Sequence, residues 1–151
     1  MKYAVNDKQE LLLCPFDDIL EGYTEITKEE YEELSKPSLD VIKGNKHSEL
    51  KSIMNKKREQ LTVLYDNDNF NASIEAQNNM NSLLKAFDLG AESVGIRSAT
   101  EKTHTFNKEH TQELSLLMLQ AVNNLYDTYW KLKDQLSKCE TVDAVNEIKW
   151  E

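Results

Sequence analysis

The chain has 151 residues and a formal net charge of -9, which fits one domain with a real core, or one domain and an appendage, and is too short for two large ones. That acidity argues against a nucleic-acid backbone or an anionic membrane surface as partner, because both demand basic patches. No apolar run reaches bilayer-spanning length, and the few glycines (4) and prolines (2) favour helix over a loop-rich sandwich.

In chain order, residues 1–36 read as a small N-terminal module of three strands and a helix. The start, MKYAVNDKQELLLC, lacks the basic-then-apolar order of a signal peptide. Residues 2–5 and 10–14 instead form a hairpin about Asn6-Asp7, a pair that tolerates left-handed backbone. A third short strand follows at 23–26. Thr27 and Glu30 stand at capping-box spacing and open a helix that Pro37 ends. Residues 37–46 hold Ser, Pro, Gly and Asn with few large apolar side chains, and read as a linker. The main domain then occupies 47–151.

Its first helix runs from His47 to about Gln60, with Leu50, Ile53, Met54 and Leu61 as the apolar stripe. Lys51, Lys56, Lys57 and Arg58 form a basic cluster, which in an acidic chain is a solvated helix face before it is an anion site. Residues 61–65 are β-rich, 66–69 (DNDN) are turn chemistry, and 70–72 pair back. DNDN also resembles part of a calcium loop but lacks that loop's glycine and terminal glutamate, so a turn is the reading. Ser73 caps a helix over 74–88 that Gly90 ends. Residues 92–98 and 102–106 form a second hairpin, expected to join the first in one antiparallel sheet. Thr141 caps a short helix before Trp150.

Between them lies the longest element, a helix over 107–137 with Asn107 as its N-cap. Leu114, Leu117, Met118, Ala121, Val122, Leu125, Tyr129, Leu132 and Leu136 fall on one broad face. The core is predicted to centre on Leu117, Ala121, Leu125 and Leu132, faced by Leu83, Leu84 and Phe87. A second line, Leu116, Leu119, Tyr126 and Trp130, lies roughly 120° round. A helix apolar on two faces needs two packing partners. The second line is covered either by the N-terminal module or by another chain, a copy of itself included. Leu116, Leu119 and Tyr126 are the candidate protein-interface residues, and Tyr129 and Trp130 read as core. The fold class is α+β, mainly α: a long central helix, shorter helices on it, and small hairpins.

Chemistry-bearing patterns are few. The chain has three histidines, and His104, Glu109 and His110 flank a strand-to-helix junction where they could converge. No further ligands stand at recognisable spacing, no glycine-rich phosphate loop follows a strand, and no nucleophile signature surrounds Cys14. The expectation is therefore no catalytic, cofactor or metal site. A metal-dependent enzyme built on those three residues is the third alternative. Cys14 and Cys139 are isolated, which suits a cytosolic site of synthesis and two small hydrophobes in place of a disulfide.

From Leu50 onward the order of pieces resembles a domain of unknown function found in bacteriophage and prophage tail-fibre proteins. The matching pieces are MNKKR at 54–58, LTVLYDNDNFNAS, EAQNNMNSLLKAF, the IRSATEKTHTFNKEHTQEL junction, and the ending TVDAVNEIKW. Where the family often carries tryptophan on the first strand of the second hairpin, this chain has Val94-Gly95-Ile96. The N-terminal GYTEITKEEYEEL is similar to a segment of small tail-fibre assembly proteins. The resemblance implies a non-catalytic structural or assembly role, with a tail-fibre protein or self-association (a homo-oligomer) as partner. It implies the bacterial host cytoplasm during synthesis and the virion tail afterwards. The alternative is a small prophage-encoded host-interaction or regulatory protein.

Overall fold

In the computed structural model, which describes residues 1–15 and 19–150, the alternating N-terminal segment pairs as its pattern requires. Strands β1 (Lys2–Asn6), β2 (Leu11–Cys14) and β3 (Tyr23–Ile26) form an antiparallel sheet in the order β2-β1-β3. The left-handed residue of the first turn is Gln9, at φ 62, and not the Asn-Asp pair. Asn6 serves that turn differently: its Oδ1 accepts from the amides of Lys8 and Glu10 at 3.0 and 2.8 Å. Helix α1 (Lys28–Leu34) opens on the expected capping box, in which the Glu30 amide donates to Thr27 Oγ1 and the Thr27 amide to the Glu30 carboxylate. Those bonds from Thr27 hold the Glu30 carboxyl below its ordinary range. Tyr31 of α1 lies on Tyr3 of β1, ring centroids 4.9 Å apart.

The stretch read as a linker is helical from Leu39 onward, because α2 spans Leu39–Glu59. Ser38 starts it, accepting from the Val41 amide at 3.3 Å. Gly44 costs a helix about 1 kcal/mol relative to alanine. That is offset further along, where Leu50 and Met54 are buried and Lys46 pairs with Glu49 at 3.0 Å. Low apolar content at 37–46 marked exposure, not the lack of a helix. The chain separates into two compact units, Met1–Ile42 and Lys43–Glu151, and the division falls within α2.

In the second unit β4 (Thr62–Tyr65) and β5 (Asp68–Asn71) pair across a two-residue loop. Asp66 and Asn67 both take positive φ, 49 and 59, as the primed turns that match strand twist demand. Asp68, expected in the turn, is therefore the first residue of β5. Helix α3 (Ile74–Asp88) begins at Ser73, whose hydroxyl accepts from the Ala76 amide. It ends at Gly90, φ 99. There the amides of Gly90 and Ala91 reach back to the carbonyls of Phe87 and Ala86 at 3.1 and 3.0 Å, closing the helix in the way only a left-handed residue allows. Strands β6 (Val94–Arg97) and β7 (Thr103–Phe106) make the second hairpin.

The two hairpins do not merge into one sheet; each stays two-stranded. A turn residue joins them instead: the Ala99 amide donates to the Asn69 carbonyl at 2.7 Å. Helix α4 (Lys108–Lys138, 31 residues) packs on α3, β4 and β7, and the short α5 (Val142–Glu147) follows. The core holds Phe70 and Ala72, Met80 of α3, Val94 and Ile96, Phe106, and Leu114 and Met118 of α4, with Leu83 and Phe87 packed against it. The expected centre at Leu117, Ala121, Leu125 and Leu132 is displaced. Those four are half-buried, while Thr111, Leu114, Met118, Tyr129 and Leu136 are the buried residues of α4. The inward face is rotated by about 50° from the line drawn on sequence, since each residue advances about 100°.

Asn107 caps α4 as expected, its Oδ1 accepting from the His110 amide at 3.0 Å. Asn107→Ala should lower unfolding free energy by about 1 kcal/mol while Asn107→Asp retains it. Denaturant midpoints of the two variants check this, and equal midpoints would show the cap contributes nothing.

Candidate functional site

Alternation along three short strands decides what faces inward between the hairpins. On β5 it turns Asp68 and Phe70 inward, on β6 Val94 and Ile96 with Ser98 just beyond, and on β7 His104 and Phe106. Asp68 is thereby buried, 5% exposed, and a buried carboxylate must find donors. It finds His104 Nε2 at 2.9 Å, Thr100 Oγ1 at 2.8 and 2.9 Å to its two oxygens, and the Asn69 amide at 2.9 Å. Ser98 and Thr100 share a further hydroxyl bond at 3.0 Å. The bonds from His104 and then Thr100 hold the Asp68 carboxyl far below the usual carboxylate range, against the desolvation that would raise it. This is a clasp between β5 and the second hairpin.

A carboxyl depressed in the fold stabilises it above its unfolded pKa, near 4, and that contribution disappears as pH falls further. The melting temperature of Asp68→Asn should therefore lie below that of the wild type at neutral pH, with the gap closing between about pH 4 and pH 2. A gap that stays constant with pH would show that the charge of Asp68 is not what the clasp uses.

His104 and His110 each lean on Phe106, at centroid distances of 5.7 and 5.9 Å, and Glu109 is exposed in the first turn of α4. His47 Nε2 is 2.8 Å from the Tyr129 hydroxyl. Beside His110, the Tyr65 hydroxyl donates to Glu113. Burial, then that bond and the Glu113 charge, then the charges of Asp66 and Glu109, push the Tyr65 phenol up to about 12. No group of three or more His, Cys, Asp or Glu side chains gathers in a metal-holding arrangement among the described residues. The 66–69 stretch spends its one inward carboxylate on the clasp.

The basic cluster divides by burial. Lys51 and Lys56 are exposed, Lys57 sits 5.9 Å over the Trp150 ring, and Arg58 donates from Nη1 to the Tyr126 hydroxyl at 2.7 Å. This last bond ties α2 to α4 and satisfies the polar tip of Tyr126.

The candidate interface residues stand on one side of α4. Leu116 is 54% exposed and Leu119 50%, while Tyr126 is half-buried. Trp130, expected in the core, is 54% exposed and packs its ring on Tyr126 at 5.6 Å. Tyr129 is buried as expected, between His47 and Trp150. Trp130 lies one residue step, about 100°, round the helix from Tyr129, on the exposed line of Leu116 and Leu119. Sequence reasoning missed the clasp, although its signal was present: residues two apart in DNF and THTF share a strand face.

No helix among the described residues is long and apolar enough to cross a membrane. No curated protein and no solved structure matches the chain. The model of a family described as a domain of unknown function, DUF4376, matches residues 41–149, which takes in both hairpins, α3, α4, α5 and all but the start of α2. The chain belongs to this family.

Proposed function

We propose that the chain works by binding other polypeptides, without catalysis, as a structural component or assembly accessory of a bacteriophage or prophage tail fibre. One observation carries the binding half: Leu116, Leu119 and Trp130 stand about half exposed in a line on a 31-residue helix whose opposite face is anchored in a core. Aromatic and aliphatic anchors on a rigid element are what a protein-binding surface needs. The fibre half is supported by the resemblance of the segments from Leu50 onward and of GYTEITKEEYEEL near the start. On this reading the protein is made in the bacterial host cytoplasm and acts on or in the virion tail. The second reading, a prophage-encoded regulatory protein that binds host proteins, is favoured by the net charge of -9, since a strongly acidic surface selects basic partners.

Co-expression with the fibre protein encoded beside it tests the first reading. The expected result is co-purification, or a raised soluble yield of the fibre, lost in Leu116→Glu/Leu119→Glu with an unchanged melting temperature. A chain that neither binds the fibre nor alters its solubility would leave the regulatory reading in its place.

A further inference from the structure

The exposed line on α4 has an order that its use as a single patch does not require. Leu116, Leu119, Asn123, Tyr126 and Trp130 are spaced by 3, 4, 3 and 4 residues, the repeat of a coiled-coil seam. All are exposed except Tyr126, which is half-buried, and they run roughly 120° from the core-facing line. We infer that this seam docks antiparallel on the same seam of a second copy of the chain. The inference rests on α4 being the protein-binding face, and it names what that face binds.

Charge complementarity selects this occupant and its direction. Glu109 and Glu113 lie in the first two turns of α4, and Lys131, Lys133 and Lys138 in the last turns. An antiparallel crossing sets the acidic end of each helix beside the basic end of the other. A parallel one sets like against like and aligns the helix dipoles unfavourably. Asn123 lies near the middle of the seam, where a single polar residue among apolar ones fixes register and the number of chains at some cost in affinity. Tyr126 brings no unpaired hydroxyl to the contact, because Arg58 donates to it. The contact is two-fold and closes on itself, as an isologous dimer does. The seam from Leu116 to Trp130 is about 21 Å long at 1.5 Å per residue, which places the dimer among the smaller specific interfaces, below about 800 Å² per partner.

Light scattering and sedimentation of the full chain test the association. The wild type should be a concentration-dependent dimer, and Leu116→Glu/Leu119→Glu should weaken it at least about tenfold, the size of a lost anchor, with helix content and melting temperature intact. Direction is read by a short bis-maleimide in a Cys139→Ser background, Cys14 being buried. Leu116→Cys mixed with Trp130→Cys should cross-link well, and Leu116→Cys alone poorly, because its two copies lie about 15–21 Å apart along the antiparallel axis. A strict monomer, a dimer indifferent to the double substitution, or efficient cross-linking of Leu116→Cys alone would overturn the inference. If a monomer still captures the fibre through Leu116 and Leu119, α4 remains the binding face and only the second copy is wrong. If the double substitution disturbs neither association, the binding face itself is wrong.

Discussion

Phe70→Ala is expected to destabilise the Lys43–Glu151 unit by about 3–5 kcal/mol, the range for removing a buried aromatic. Phe70 is 1% exposed, and its ring lies within 5.1 to 6.5 Å of those of His104, Phe106 and Tyr65. It is two residues from Asp68 on the same inward strand face. Truncation would open a cavity beside a buried carboxylate, which neighbouring rings held by their own strands are poorly placed to fill. Leu64, its near neighbour on β4, is 68% exposed, and Leu64→Ala should stay within about 0.5 kcal/mol of the wild type. Chemical denaturation of the two variants checks both values. Similar losses would mean that the hairpin buries neither face selectively.

Leu114→Ala should cost about 2–5 kcal/mol. Leu114 has no exposed surface and sits in the core cluster with Phe106, Met80 and Met118. Leu117 and Leu125, the residues that the sequence periodicity favours, are half-buried, so their truncation should cost less than that of Leu114. Leu116→Ala, two positions away, removes an exposed side chain and should leave the melting temperature of the dissociated chain nearly unchanged. A larger loss at Leu117 than at Leu114 would place the core on the wrong side of α4.

Helix caps were legible in the sequence because their causes are local. Thr27, Ser73, Asn107 and Thr141 each lie next to the backbone groups that they serve, and Gly90 is needed where the chain turns left-handed. The facing of α4 was legible only to within about half a residue step. Several broad apolar lines fit a 31-residue helix, and the one buried depends on where the hairpins arrive. The first half of α2 was hidden because exposed helix looks like linker in composition: nothing at 37–46 has to be apolar when its burial begins at Leu50. The clasp was hidden for another reason. Asp68 and His104 are 36 positions apart, and no periodicity reports a pairing across an intervening helix. The interface residues were named from an apolar surplus, and Trp130 joins Leu116 and Leu119 on the exposed side for that same reason.

The clasp also orders events in time. Each hairpin closes on neighbours a few residues away, and α3 on its own turns, so all three can form within microseconds. The bonds from Thr100 and His104 to Asp68, and from Ala99 to Asn69, close loops of 30 to 36 residues. Their loop-closure entropy is met only after α3 has shortened the path between the ends. The amide of Ala99 is then a clock for the docking of the hairpins. In pulsed hydrogen exchange it should become protected after the amides within β4 and β5, and Asp68→Asn should delay Ala99 while leaving those earlier amides on schedule.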